Sequence, residues 1–360
     1  MFPAEALAGE LMAHSVAVAL ITDRRGEAFG KRLAGVSVHQ VSAGMLAGGV
    51  VQKAEGALRL AVGLFQARAV LARLRPQVVV GFGGYPSVPT VLAAARTGIA
   101  TVLHEQNAVL GRANRLLAPR AARLATAFAR IETFGRVPPE RIVYTGNPVR
   151  PAIAAVGADP FPTPTSDGPL NLLVLGGSQG ARVFARVVPA AVALLPETLR
   201  RRLVIAQQCR PEDLEAARAA YAGQALEPTL SPFFDDMPAR LAAAHLVIAR
   251  AGASTVAELG AAGRPAILVP YPFATDDHQT ANARALVEAD GAWLMPERTL
   301  TPETLAARLR GLLLDPPALA HAAAAARGAG RRDAAACLAR AVMEFLPEDG
   351  ARPAPREAAA

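Results

Sequence analysis

Short apolar runs alternate with longer stretches of helical period along most of this chain. A run of about four to eight apolar residues bounded by turn residues is typical of a strand buried on both faces of a parallel sheet. Strands and helices that alternate in this way predict an α/β fold of doubly wound parallel sheets. We predict strands at 17–22, 36–41, 77–81, 99–103 and 142–144, and a second series at 172–175, 203–206, 246–249 and 266–269.

Proline divides this pattern into two domains. Residues 157–169 are too rich in proline for a helix or a central strand, so they predict a linker. We therefore expect one domain at 1–156, a second at 170–330, and a final helix at 331–346 that packs back on the first domain. The Pro/Ala/Glu composition of 347–360 predicts a disordered tail. Two Rossmann-like domains then face each other across a cleft.

A glycine-rich turn early in the second domain predicts a phosphate site. It follows an apolar run and contains Gly176, Gly177 and Gly180, which let the backbone approach a ligand closely. Ser178 adds a hydroxyl donor, and Gln179 lies beside it. A single turn of this kind is weak support for a ligand site.

A second turn of the same kind lies in Arg250-Ala-Gly-Ala-Ser-Thr, which leads from a strand into a helix. Ser254 and Thr255 open that helix, whose free N–H groups and dipole favour a phosphate. Glu258, one turn further, is placed to accept two ribose hydroxyls. An ordinary capped helix is the alternative for this segment alone. Two such turns at one edge of a parallel sheet favour a bound diphosphate.

The first domain supplies further polar groups at strand ends. Gly81-Phe-Gly-Gly-Tyr-Pro resembles a dinucleotide fingerprint, but Pro86 occupies its third glycine position, so we interpret the segment as a glycine-lined cleft wall. His104-Glu-Gln-Asn107 ends the next strand, where polar groups favour ligand contact. A role for His104 or Asn107 in tying loops together is the alternative. Arg150, after the last strand, is placed to reach a donor phosphate or sugar.

The second domain offers one more polar helix start. Asp276, Asp277 and Gln279 suit sugar hydroxyls. Asp276-Asp277-His278 also looks like a metal cluster, but adjacent carboxylates at a helix start point in different directions, so we expect no metal and no cofactor. Phe234 lies in a loop that can present its backbone to a flat base. A hydrophobic staple for the following helix is the alternative for that residue.

The charge distribution indicates an anionic membrane surface as a partner. Residues 1–150 hold 18 Lys and Arg against 8 Asp and Glu, and the rest of the chain holds 20 against 22. Arg-edged apolar helices predicted at 58–74 and 110–130 suit lipid headgroups, and core-facing helices with a solvated Arg face are the alternative.

Nucleic acid is disfavoured, because aromatic residues make up only 5% and no recognition motif occurs. Cys209 and Cys337 lack metal-type spacing, and no apolar run reaches about 18 residues.

Seven strings of this chain, in order, resemble those of the MurG family of N-acetylglucosaminyltransferases. The resemblance covers nearly the whole chain, and seven ordered motifs make it specific. The strings are Gly81-Phe-Gly-Gly-Tyr, His104-Glu-Gln-Asn, Gly146-Asn-Pro-Val-Arg, Gly176-Gly-Ser-Gln-Gly-Ala, Phe234-Asp-Asp-Met, Arg250-Ala-Gly-Ala-Ser-Thr and Asp277-His-Gln-Thr-Ala-Asn.

This resemblance implies a GT-B hexosyltransferase at the cytoplasmic face of the inner membrane, acting in peptidoglycan synthesis and thus in cell shape and division. It would move N-acetylglucosamine from UDP-GlcNAc to the muramoyl 4-hydroxyl of lipid I, with inversion, and so form lipid II. By the same resemblance Asn107, Arg150, Ser178 and Gln279 contact UDP-GlcNAc, and Glu258 holds the ribose. The wider binding set is Gly177, Gln179, Gly180, Phe234, Arg250, Ser254 and Thr255.

The chain departs from the family at its start. Family members begin with a strand and a loop, Gly-Gly-Thr-Gly-Gly-His, ahead of a Phe-Pro-Ala segment that is present here at Phe2-Pro-Ala. The missing strand is expected to be central in its sheet, and the missing histidine is the family's candidate base. We interpret the departure as a misplaced start or a truncation, and Glu105 is the one nearby carboxylate to test as a base.

Two other classes of protein remain in view. One is a catalytically impaired relative that binds UDP-GlcNAc or acts as a membrane-associated scaffold, which the missing loop would permit. The other is a nucleotide-sugar epimerase or dehydrogenase, which Pro86 disfavours because it spoils the dinucleotide fingerprint.

Overall fold

The structure is a computed structural model that describes residues 2–24, 35–44, 49–133, 135–177, 180–224 and 226–347. Ser178 and Gln179 of the first glycine turn lie outside the described residues. All of the predicted tail except residue 347 lies outside them as well.

The strands of the first domain form two separate parallel sheets. β1 (Ala19–Thr22) pairs with β2 (Ser37–Gln40). The second sheet has the order β3-β4-β5-β6, and no described strand pairs with both sheets. Its strands are β3 (Val78–Gly81), β4 (Ala100–Glu105), β5 (Arg123–Thr126) and β6 (Ile142–Tyr144).

Helices cover the faces of these strands and enclose an apolar core. Leu103 of β4 and Leu124 of β5 are completely buried, as expected of central parallel strands. The helices are Phe2–Ala13, Val50–Leu74, Gly84–Arg96 and Arg112–Leu117. Helix Pro151–Val156, which the sequence placed in the first domain, packs instead on helices of the second, where Ile153 and Val156 lie against Val256 and Leu259.

The helix predicted at 110–130 is wrong. That stretch contains the short helix Arg112–Leu117, a 3₁₀ turn at Ala118–Arg120 and the strand β5. Pro119 limits the helix because it lacks an N–H and its ring crowds the preceding turn. The residues beyond it pair with β4 on one side and β6 on the other. Tertiary pairing therefore overrides the apparent helical period of the arginines.

The second domain has one six-stranded parallel sheet of order β12-β11-β10-β7-β8-β9. Its centre is formed by β7 (Leu170–Leu175) and β10 (Leu246–Ala249), and the chain runs outward from this pair in both directions. Ligands bind at such a switch point in open α/β sheets. The other strands are β8 (Leu203–Gln208), β9 (Thr229–Ser231), β11 (Ala266–Leu268) and β12 (Ala292–Leu294).

Eight helices of the described residues pack around this sheet. Phe184, on the helix that follows the first glycine turn, is completely buried against one face of it. The helices are Arg182–Ala193, Glu197–Arg200, Leu214–Tyr221, Met237–Ala243, Ala253–Ala262, His278–Val287, Pro302–Leu313 and Pro316–Ala329.

The last helix, Ala334–Met343, belongs to the core of the first domain. Leu338 and Val342 on this helix pack with Leu7 and Leu11 of the N-terminal helix. The chain therefore crosses between the domains twice, once before Pro151–Val156 and once before this helix.

Candidate active site

The two glycine turns lie side by side at the switch point of the second domain. Leu175 and Ala249, the last residues of β7 and β10, are register partners, so the turns that follow them start next to each other. At Gly176 an added Cβ would lie 2.5 Å from the backbone nitrogen of Ala181, and Gly177 has a φ of +78°. Only glycine fits the first position without a clash. The fold therefore places both turns at one edge of the sheet, as the sequence predicts.

The helix Ala253–Ala262 points its N-terminus into the cleft. Its N-cap is Gly252, in an extended conformation and with no side-chain cap. Ser254 is exposed and Thr255 is partly buried in the first turn. The first N–H groups of a helix lack intrahelical partners and lie at the positive end of its dipole. This end of the helix is therefore suited to a phosphate.

Arg150 and Glu258 meet across the cleft. The Nη2 and Nε groups of Arg150, in the first domain, donate to Oε1 of Glu258, in the second, at 3.0 and 3.2 Å. The Glu258 side chain is only 17% exposed. Its burial raises the pKa of the carboxyl above the usual value, and the positive charge of Arg150 opposes that rise. Glu258, which the sequence predicts to bind the ribose, is thus already paired with the Arg150 guanidinium.

Arg250 is buried, and its guanidinium contacts two backbone carbonyls and one carboxylate. Its Nη1 donates to the carbonyl oxygens of Val269 and Pro270 at 3.2 and 3.1 Å, and its Nη2 lies 2.5 Å from a carboxylate oxygen of Glu297. The guanidinium also lies over the ring of Tyr271. These contacts give Arg250 a structural role within the protein, and its predicted contact with a ligand stays a prediction.

Gln279 and Phe234 each take a definite place near the cleft. The Oε1 atom of Gln279 accepts from the backbone N–H of Tyr271 at 2.9 Å, and its Nε2 has no partner within the described ranges. That amide group is available to a sugar hydroxyl. The Phe234 ring is buried, with the Arg240 guanidinium 4.1 Å from its centre.

Glu105 shapes the loop after β4. Its Oε1 accepts from the backbone N–H of Asn107 at 3.0 Å, and its Oε2 accepts from Gly111 N–H and from Asn114 Nδ2, each at 2.8 Å. The residue is 4% exposed. Asn107 Nδ2 also donates to Oε1, at 3.3 Å. A carboxylate that is buried and accepts four N–H groups is poorly placed to take a proton from an acceptor hydroxyl.

His104 holds the loop that leads to Arg150. Its Nε2–H donates to the carbonyl oxygen of Gly146 at 3.0 Å, and the ring is completely buried. Desolvation lowers the pKa of His104 to about 4, although the bond to Gly146 acts in the opposite direction. The imidazole is therefore neutral at physiological pH. This contact agrees with the alternative in which His104 ties loops together.

Two further residues bridge the domains. Oδ1 of Asn282 accepts from the backbone N–H of Ala108 at 2.8 Å, and its Nδ2 donates to Oδ1 of Asn107 and to the carbonyl oxygen of Ala251, each at 3.2 Å. Asp276 forms an ion pair with Arg115 of the first domain at 2.5 Å. The sequence suggested Asp276 as a sugar contact, and the fold places it in this interdomain pair.

A cavity of about 790 Å³ lies between the domains, beside these bridges. It is lined by both domains, including Phe128 and Asn147 of the first and Val256, Thr280 and Arg284 of the second. Both polar atoms of the buried Asn147 amide lack a partner in the part of the chain that the structure describes. In the sequence, Asn147 is notable only as part of Gly146-Asn-Pro-Val-Arg, and its burial beside the cavity could not be predicted from that motif. No three His, Cys, Asp or Glu side chains of the described residues form a metal site.

Family models match both halves of the chain. Residues 1–126 match the glycosyltransferase family 28 N-terminal domain, and residues 171–338 match the glycosyltransferase family 28 C-terminal domain. The chain also has two parallel-sheet domains and, at the cleft, a helix N-terminus suited to an anion. Together with the family matches, these features define a GT-B glycosyltransferase.

Curated relatives and a solved structure narrow this class. The chain is 57% identical to the UDP-N-acetylglucosamine--N-acetylmuramyl-(pentapeptide) pyrophosphoryl-undecaprenol N-acetylglucosamine transferase of Rhodospirillum centenum, over 95% of this chain and 90% of the relative. The transferase of the same name from Paramagnetospirillum magneticum is 56% identical, with 97% and 94% covered. The crystal structure of Acinetobacter baumannii MurG superposes with a TM-score of 0.77 at 30% identity, covering 95% of each chain. The chain belongs to the MurG family.

Proposed function

We propose that this chain transfers N-acetylglucosamine from UDP-GlcNAc to N-acetylmuramyl-(pentapeptide) pyrophosphoryl-undecaprenol, which is lipid I, and so forms lipid II for peptidoglycan. Donor and acceptor are those in the names of its curated relatives. The single observation that carries the proposal is the meeting of Arg150 and Glu258 beside an uncapped helix N-terminus at the cleft. The high coverage of the relatives favours an active transferase over a catalytically impaired one.

The chemistry is a displacement at the anomeric carbon. The acceptor hydroxyl oxygen forms a bond to that carbon while the bond between the carbon and the UDP oxygen breaks, which inverts the configuration, and the hydroxyl proton is released to solvent water. Negative charge develops on the leaving diphosphate, and the N-terminus of Ala253–Ala262 together with Arg150 stabilises it. Glu105 is committed to its loop and is not assigned the proton of the acceptor hydroxyl.

Glu258 exchanges partners when the donor binds. Two ribose hydroxyls replace the Arg150 guanidinium at the Glu258 carboxylate, and Arg150, 30% exposed in its side chain, turns to the diphosphate. The exchange keeps the buried carboxylate hydrogen-bonded at every stage, which avoids the cost of an unpaired buried charge. Gln279 supplies its free amide to the sugar.

Calorimetric titration of the 360-residue chain with UDP-GlcNAc tests this function. We expect saturable binding of UDP-GlcNAc, much weaker binding of UDP-glucose, and no binding of NAD. Turnover is then followed as release of UDP in the presence of the lipid-linked acceptor. A folded chain that binds NAD and ignores UDP-GlcNAc contradicts the proposal and favours a dinucleotide enzyme.

We also propose that the first domain docks on an anionic membrane, at the cytoplasmic face of the inner membrane. Helix Val50–Leu74 exposes apolar side chains at Val51, Leu58, Val62 and Phe65, and Phe65 is 75% exposed. Arg59 and Arg68 lie on the same helix and are exposed. Apolar contact combined with basic residues is typical of helices that bind lipid headgroups. No helix of the described residues is long and apolar enough to cross a membrane.

Vesicle sedimentation tests the membrane surface. The Leu58→Ser/Phe65→Ser double variant should bind vesicles of phosphatidylglycerol and phosphatidylethanolamine about tenfold more weakly than the parent, because it removes two apolar contacts. Leu314→Ser, an exposed leucine of the second domain, is the matched control. Equal binding by the double variant and the control contradicts this surface.

A further inference from the structure

Arg250 is buried in the second domain, and one acidic residue balances its charge. It is 8% exposed, and its guanidinium lies 5.3 Å from the ring centre of Phe184 and 5.4 Å from that of Tyr271. In the described residues the carboxylate of Glu297, 2.5 Å away, is the anion paired with it. A buried guanidinium without such a partner is costly and tends to move toward water.

The carbonyl contacts of Arg250 set the path of the chain beyond β11. Its Nη1 binds the carbonyl oxygens of two consecutive residues, Val269 and Pro270. The next residue, Tyr271, donates its N–H to Oε1 of Gln279. The segment 269–271 is therefore held at one end by Arg250 and at the other by Gln279.

These contacts form a chain from Glu297 to Gln279. Glu297 pairs with Arg250, Arg250 holds the carbonyls of 269 and 270, and Tyr271 of the same segment donates to Oε1 of Gln279, whose Nε2 has no partner among the described residues. Glu297 lies in a 3₁₀ turn after β12, and neither Glu297 nor Gln279 is among the residues that line the cavity between the domains. We propose that Glu297 is a positioning residue that acts through Arg250 on the orientation of Gln279. The inference rests on the proposed use of UDP-GlcNAc as donor.

Glu297→Gln tests it, because glutamine keeps the size and the acceptor oxygen but removes the charge. We expect KM for UDP-GlcNAc to rise about tenfold while kcat changes less than about threefold, since a contact made equally in ground and transition states affects KM alone. KM for the acceptor should not change. Glu215→Gln, an exposed acid of the same domain, should behave as the parent.

A second variant separates positioning from general structural support. In a Gln279→Ala background, adding Glu297→Gln should raise KM by less than about twofold, because the residue through which it acts is gone. Glu297→Asp keeps the charge on a shorter side chain and should recover part of the donor affinity. If Glu297→Gln does not fold, a KM for UDP-GlcNAc in Glu297→Asp equal to that of the parent overturns the inference. Additive effects in the double variant, or an unchanged KM in Glu297→Gln, overturn the inference.

The outcomes also distinguish this inference from the proposed function. If the parent turns over UDP-GlcNAc and Glu297→Gln matches it, only the positioning role fails. If the parent neither binds nor turns over UDP-GlcNAc, the proposed function fails and the positioning role fails with it.

Discussion

Arg150 and Glu258, 108 residues apart in the chain, form an ion pair across the cleft with Nη2 and Oε1 3.0 Å apart. Arg150 is the N-cap of the helix Pro151–Val156, whose Ile153 and Val156 pack with Val256 and Leu259 of the helix that carries Glu258. Under the proposed function, this ion pair occupies the carboxylate that would hold the ribose of the donor, so donor binding and the ion pair compete for one side chain.

Glu258→Gln should weaken UDP-GlcNAc binding by at least about tenfold. The variant replaces a charged acceptor with a neutral amide, and hydrogen bonds to charged groups contribute about 1.5–3 kcal/mol. Calorimetric titration measures the change. Glu288→Gln is the control, because Glu288 also pairs across the domains, with Arg130 at 3.6 Å, but is exposed. Equal affinities of the two variants for UDP-GlcNAc would show that Glu258 does not contact the donor.

Asn282→Ala should lower the free energy of unfolding by about 1–3 kcal/mol, because it leaves the buried N–H of Ala108 without its acceptor. Urea unfolding followed by circular dichroism provides the measurement. Arg284→Ala, on the same helix, is exposed and should change stability by less than about 0.5 kcal/mol. A loss of the same size in both variants would argue against Asn282 as a bridge.

Stability should fall on acidification through the titration of His104. Its folded-state pKa is about 4, below the ordinary value of 6.5, so the unfolded chain takes up a proton first as pH falls. Between pH 6.5 and 4 this histidine should cost about 3 kcal/mol of stability, and above pH 6.5 it should cost nothing.

Urea unfolding at pH 7 and pH 5 of the parent and His104→Gln tests this dependence. The variant should lose part of the pH slope, whereas His321→Gln, an exposed histidine, should keep all of it. Identical slopes in the parent and in His104→Gln would exclude His104 as the titrating group.

Gly330→Ala should be destabilising by about 1–3 kcal/mol. Its added Cβ would lie 2.2 Å from the backbone carbonyl of Gly260, on the helix that carries Glu258, so one of the two segments must shift. Gly328→Ala is the matched control, two residues away with no atom within 4 Å of its Cβ position. That control should gain about 0.5–1 kcal/mol from the helix propensity of alanine. Thermal unfolding distinguishes the two, and a neutral Gly330→Ala would contradict the close approach.

The sequence alone was enough to indicate four of the six strands of the second domain and the two glycine turns. The strand at 246–249 was predicted with its observed bounds, and the glycine turn at Gly176 was predicted from its residues. Both are local requirements: an apolar run for burial on two faces, and glycine where no Cβ fits. The strand β5 was missed because the spacing of the arginines at 110–130 suggested a helix, and β9 and β12 were not predicted.

The tertiary structure decided the roles that depend on distant partners. The carboxylate of Glu105, a candidate base, accepts hydrogen bonds within its own loop, and Arg250, a predicted ligand contact, is paired with Glu297. Neither partner can be read from spacing along the chain. The sequence determined which side chains are available at strand ends, because backbone geometry is local. Folding determined which of them remain free for a ligand, because burial and pairing join residues that are far apart in sequence.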